Sequence, residues 1–360
     1  MMLTIYTLFN DPNIVNAVIQ RVLQTRKDTI YWQQYLDFRR TTTRVFKDYI
    51  GQVTGVMAGS INSRYGEKPI RERRNIGSGY GEIAYLGDRY QISIDRLSEL
   101  QDLVDKFNAA KTSDQVAAMQ DIVNFIYDDY RQVLLAAHKR MDIVVGSLLM
   151  TGKAQVKNKD DNAGGIDLLD IELPFKFITP EAGVKTNFIT YLQQQINELK
   201  AVYGTFPKMI MSRGTFVKNI IGSSEFGDKF KMQLTGNEMY MSTGLITSQL
   251  ASSVFTGIGL PAIEIKEDYV LDQSGKNVQI YADDRITLLP QDKIGYMRFH
   301  TPYEAVDGVP GRNYSQADGE MLISGYKDGN GRYLEYTAEW IPQITSPNLI
   351  VNFDLTTMNA

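Results

Sequence analysis

The sequence contains no cysteine, which excludes disulfides, thiolate metal sites and cysteine nucleophiles together and fits synthesis in a reducing cytoplasm. Only two histidines are present, His138 and His300, so the commonest general base and metal ligand is nearly missing and an enzyme has few residues to draw on. No apolar run approaches the roughly 18 residues needed to span a bilayer, which excludes a helical membrane anchor. Met1 to Phe9 is apolar but lacks a basic start and a small-residue cleavage site, so no export signal is expected. Basic excess is also lacking: the formal net charge of -4 argues against a protein that coats nucleic acid and leaves room only for weak, non-specific contact with DNA.

None of the 11 prolines falls between Asp114 and Thr151. Through that stretch Val116, Met119, Val123, Ile126, Tyr130, Val133, Ala137, Met141, Val144 and Leu148 recur at steps of three and four. The spacing predicts one buried face on a helix over 114–151, roughly 57 Å long and longer than a compact domain needs. Gly152 and Lys153 supply its stop, a residue suited to the left-handed conformation and a cation at the negative end of the dipole. His138, beside Lys139 and Arg140, is expected on the outer side as a surface or contact residue.

Before this rod, residues 10–30 read as an amphipathic helix capped by Asp11 with Pro12 at the first position. Thr29 to Lys47 is polar and aromatic and reads as an arm that packs on something, either its own domain or a neighbour. From Tyr49 to Ile94 short alternating runs flank Arg64, Lys68, Arg71, Arg73 and Arg74, then Gly77, Gly79 and Gly81, the composition of a long two-stranded hairpin with a charged middle. Such a hairpin has too little apolar surface to stand alone in water, which points to support from another subunit.

After Gly152 the pattern alternates strands and helices: a strand or hairpin over 166–178, a helix over 183–203, a strand over 207–211 and a helix over 212–221 capped by Ser212. Residues 226–259 mix helix and loop signals and are not divided. Strands follow at 263–269, 279–281, 286–289, 296–303, 321–326, 333–344 and 349–355, with a hairpin turn at Asp328-Gly329-Asn330-Gly331.

Sites for chemistry were sought and none stands. Gly146 to Ala154 has the glycines too far apart for a phosphate loop, alanine in place of the metal-binding hydroxyl, and a helix end where a helix start is needed. Asp160, Asn162 and Gly164 open like a calcium loop, but Ile171 stands where a bidentate glutamate belongs. Gly77, Gly79 and Gly81 open no helix. Asp128-Asp129 and Asp283-Asp284 are neighbours in sequence that point apart, so each reads as solvated. Arg71, Arg73 and Arg74, interrupted by Glu72, suit contact with carboxylates of a second molecule better than a nucleic-acid patch. No catalytic, cofactor or metal residue is assigned.

In this order the elements resemble the major capsid proteins of tailed bacteriophages, the Hong Kong 97 type of fold, and among them the branch typified by the lambda major capsid protein E. Four places carry the likeness: Tyr90 to Leu97 (YQISIDRL), Leu149 to Lys153 (LMTGK), Tyr269-Val270 with Gly275-Lys276 and Arg285 to Pro290, and Glu335 to Leu355 with ITSPNLIVNF. The resemblance implies an α+β fold with residues 1–48 as an N-terminal arm, 49–94 as an extended loop, 95–182 with 291–360 as a peripheral domain holding the spine helix 114–151, and 183–290 as an axial domain. It departs from the family's pattern at Ala282, where proline is frequent, and over 226–259. It implies a non-enzymatic subunit that assembles into hexamers and pentamers of an icosahedral shell in the host cytoplasm, encloses double-stranded DNA, and works with scaffolding, portal and decoration proteins, with Arg71, Arg73 and Arg74 at subunit contacts. An encapsulin-like compartment shell and an uncharacterised enzyme with its site in 183–290 are the alternatives.

Overall fold

The structure, a computed structural model, describes residues 2–25, 29–50, 77–157, 167–223, 225–227, 247–271, 275–329 and 331–359. Its axis is the helix Gln115–Thr151, 37 residues and about 55 Å long. Gly152 ends it in the left-handed conformation (φ 67°), donating its N–H to Leu148 O at 2.8 Å. The expected apolar stripe overruns the core, however. Val116 is 76% exposed, and continuous burial starts near Ile122, because among the described residues the first turns extend beyond the sheet and meet neighbouring helices. Farther along, the rod buries a second stripe, Leu134, His138, Asp142, Val145 and Leu149, as well as the first. His138 therefore corrects its expected surface position: it is 1% exposed, stacked on Trp32 at 5.7 Å and 4.8 Å from the Trp340 ring. A helix packed on two sides has a buried arc wider than one seam can reveal.

The second stripe is covered by the chain's own N-terminal segment. Thr4 caps a short helix, Ile5–Asn10, and Asp11 accepts the Asn13 N–H at 2.9 Å at the start of Pro12–Thr25. Tyr31, Trp32 and Tyr35 are then fully buried against the spine, so the aromatic arm docks on its own body. The Trp32 N–H donates to Asp142 Oδ1 at 2.9 Å. From there Leu36–Arg40 runs parallel to Gly295–His300 as an edge strand.

Two sheets divide the apolar side chains into two cores. The first is built on the strand Gly331–Ile344: Leu322–Asp328 and Gly295–His300 pair end to end along one side of it, and Ala84–Ile92 pairs along the other. Leu334, Tyr336, Ala338 and Trp340 alternate inward toward the spine, the two-residue period of a pleated strand. The second sheet has the order Lys176–Ile178, Val351–Asp354, Arg285–Leu289, Lys208–Ser212, Ala262–Lys266. The helices Phe188–Tyr203 and Ser248–Gly257 pack on it through Phe188, Leu192, Ile196, Ala251 and Phe255. Two strands outside 183–290, Lys176–Ile178 and Val351–Asp354, thus belong to this second sheet.

Ser212 caps the turn Arg213–Thr215, which continues as a π-helical segment, Phe216–Ile221. Within the undivided 226–259 region, Ser248–Gly257 is a helix capped by Thr247, and 228–246 lie outside the described residues. The calcium-like start at Asp160 also lies outside them. The acid pairs are less solvated than expected. Asp129 pairs with Arg96 at 2.9 Å, and Asp284 holds a left-handed backbone (φ 59°) while accepting from Lys218 and from Asn359 Nδ2.

Candidate functional site at the root of the extended loop

The strands Val45–Ile50 and Gly77–Glu82 pair antiparallel with each other, in register from Val45 with Glu82 to Ile50 with Gly77, and join neither large sheet. Arg71, Arg73 and Arg74, the sequence-predicted contact residues, lie beyond this ribbon and outside the described residues. What the structure defines is how the ribbon is rooted. Ile83 N donates to Arg44 O at 3.0 Å, closing the ribbon where it meets the body. Arg44 then forks onto Glu339: Nη2 to Oε1 at 2.6 Å and Nε to Oε2 at 3.1 Å. His300 Nδ1 lies 2.9 Å from the same Oε2.

Glu339 is only 3% exposed and sits on the face of its strand opposite the spine, so three segments distant in sequence converge on one sealed carboxylate. A planar guanidinium matched to both carboxylate oxygens fixes direction as well as distance, which a lysine could not do. Below the ribbon, Ala84–Ile92 is stitched to the central strand by Arg89 to Glu335 at 3.4 Å and by Tyr336 Oη to Asp88 at 2.5 Å. Burial, and then the Asp88 carboxylate, keep the Tyr336 phenol protonated as the donor.

Sequence reasoning missed this group. Its local signal is a charged residue, Glu339, inside an otherwise apolar strand between Ala338 and Trp340, but nothing in the spacing names Arg44 as its partner. Beside the root lies an apolar surface. Tyr303, Val306 and Val309 project from the loop after Gly295–His300, with Val306 82% exposed, and Tyr85 reaches that loop through a 2.9 Å bond from its hydroxyl to Glu304. Partial burial, and then the Glu304 carboxylate, hold the Tyr85 phenol above the usual tyrosine range. Exposed large apolar side chains clustered on one surface are a signature of association. Among the described residues no helix is long and apolar enough to cross a membrane.

No protein-family profile and no curated protein matches the sequence. The fold does match solved structures over nearly the whole chain. The putative capsid protein of a prophage of Escherichia coli CFT073 superimposes with a TM-score of 0.60 at 12% identity, covering 96% of this chain and 99% of that one. A phage-related protein from Bordetella bronchiseptica RB50 gives a TM-score of 0.51 at 8% identity, covering 95% and 96%. The mixed α and β fold expected from the resemblance, that of a phage capsid protein, is the fold observed.

Proposed function

We propose that this chain is the major subunit of a phage-type capsid: it assembles through its extended loop into hexamers and pentamers of a closed shell and carries no catalytic site. The single observation behind this reading is the isolated ribbon Val45–Ile50 with Gly77–Glu82, rooted by an ion pair to the buried Glu339 but supported by neither sheet. Two strands alone are marginal in water, so a ribbon built on a rigid root is made to lie on something else. The apolar surface of Tyr303, Val306 and Val309 beside the root supports the same reading, as does the likeness of fold to a prophage capsid protein.

In this reading residues 1–48 form the arm, 49–94 the loop, 95–182 with 291–360 the peripheral domain and 183–290 the axial domain, into whose sheet the strand Val351–Asp354 crosses. Arg71, Arg73 and Arg74 meet carboxylates of the neighbouring copy. Each subunit gives and receives such contacts, and an obligate interface of this kind buries on the order of several thousand Å². The shell assembles in the host cytoplasm with scaffolding, portal and decoration partners and touches packaged DNA weakly, as a slightly acidic protein must.

Negative-stain microscopy with light scattering on the full chain tests this. Closed particles are expected from the intact protein, and folded, unassembled subunits from a chain lacking 60–82. Intact shells from the deletion would refute the loop's role, and a lone monomer at high concentration would overturn the shell itself.

A further inference from the structure

Arg332 lies on the inner face of the central strand, between Ile92 and Lys327 in register, and is 6% exposed. Other arginines of the structure meet carboxylates, as Arg44, Arg96 and Arg285 do. Arg332 meets none among the described residues. Its guanidinium lies 4.9 Å over the ring of Phe9, which is itself stacked on Tyr130 at 6.3 Å and 14°. Nη1 is sealed from solvent without a hydrogen-bond partner. The other edge, with Nε and Nη2, is neither sealed nor bonded.

Tyr130 shows the same pattern. The residue is 1% exposed, yet its hydroxyl is neither sealed nor bonded to any described residue. Burial raises this phenol, so it stays protonated and can donate. Burial also lowers the Arg332 guanidinium, and the titratable groups that act on its charge are the phenols of Tyr130 and Tyr6. Among the described residues this largely buried cation faces aromatic rings and phenols with no carboxylate, an arrangement that an anion on its open edge would complete, because a charge that is mostly buried is costly without an opposite charge beside it.

We infer that Arg332 and Tyr130 form a binding site for one small oxyanion, phosphate or carboxylate, beneath the helix Ile5–Asn10. The free guanidinium edge offers two parallel N–H donors matched to two oxygens of such an ion, and the Tyr130 hydroxyl adds a third. Phe9 closes one face of the guanidinium. The inference stands on these residues alone and does not depend on shell assembly.

Equilibrium dialysis of the full chain against inorganic phosphate, and separately against acetate, at constant ionic strength in chloride tests it. One saturable site per chain is expected for at least one of the two anions, and the preferred anion identifies the ligand class. Arg332→Met, which keeps the aliphatic stem over Phe9, should abolish that binding. Tyr130→Phe, which keeps the stacking and removes one donor, should weaken it roughly tenfold and decides the matter if the first variant fails to fold. The inference is overturned if the wild type binds neither anion saturably, or if the folded variants bind as the wild type does.

Discussion

Arg44 and Glu339, 295 residues apart in sequence, meet as a fork of two hydrogen bonds at the base of the extended ribbon, the arginine half exposed and the carboxylate sealed. The asymmetry decides which partner matters more. Without Arg44 the Glu339 carboxylate stays buried with His300 as its remaining contact, whereas without Glu339 the guanidinium can turn to water. Arg44→Ala should therefore cost about 1–3 kcal/mol of stability and Glu339→Gln less. The double variant should cost less than the sum of the two. Chemical denaturation of all three gives the coupling energy, and strict additivity would sink the assignment.

Asp142 makes stability depend on pH in an unusual direction. Burial lifts its carboxyl to about 6, against the opposing hydrogen bond from Trp32 and the charge of Lys139. The folded chain thus holds this proton more tightly than the unfolded chain, whose aspartate titrates near 4. Stability linked to Asp142 is fully present below about pH 4 and is lost as pH rises toward 6. Asp142→Asn, whose carbonyl can still accept from Trp32, should remove that slope. The variant would then gain about 2–3 kcal/mol relative to wild type between pH 4 and pH 7. Denaturation curves at the two pH values check this, and an unchanged slope contradicts it.

Gly146 reverses a familiar rule. Glycine to alanine inside a helix ordinarily gains up to about 1 kcal/mol. Here a Cβ at 146 would stand 2.5 Å from Ile280 O and 2.6 Å from Ile280 Cγ2, so the spine would be pushed off the segment it touches. Gly146→Ala is expected to destabilise by about 1–3 kcal/mol, read as a lower thermal midpoint. A raised midpoint would show that this close approach does not exist.

Lys266 holds the aromatic arm to the second sheet. It is 5% exposed, its ammonium lies 5.1 Å from the Tyr35 ring and 5.3 Å from the Tyr31 ring, and it contacts Gln34 and Glu264. Burial alone would raise Glu264, but Lys266 and Lys208 outweigh it and the carboxyl is lowered. Lys266→Met should speed hydrogen exchange of the amides of 29–36 at least tenfold while leaving Phe188–Tyr203 unchanged. Equal acceleration of both regions would mean a global loss of stability and no local latch.

The local rules reached the spine, its glycine stop and the Asp11-Pro12 helix start because each is written within one or two turns of chain. They failed where the deciding contact is remote. His138 looked external from its neighbours Lys139 and Arg140, yet Trp32 and Trp340 arrive from far ends of the sequence to cover it. Val116 fitted the apolar period and stays uncovered, since the period continues past the sheet that would bury it. The root at Arg44, Glu339 and His300 brings together three segments remote in sequence, His300 beside Glu339 through strand pairing and Arg44 through its side chain, and its members carry no mutual spacing to read.

Each sheet receives its inner strand late. Gly331–Ile344 and Val351–Asp354 both insert between strands that leave the ribosome earlier, including Ala84–Ile92 and Lys176–Ile178. Until synthesis passes Ile344 the first sheet lacks its central strand, and until it passes Asp354 nothing joins Lys176–Ile178 to Arg285–Leu289 in the second. A polypeptide abandoned midway can close neither core, so quality control over which copies are fit for use is built into the strand order itself.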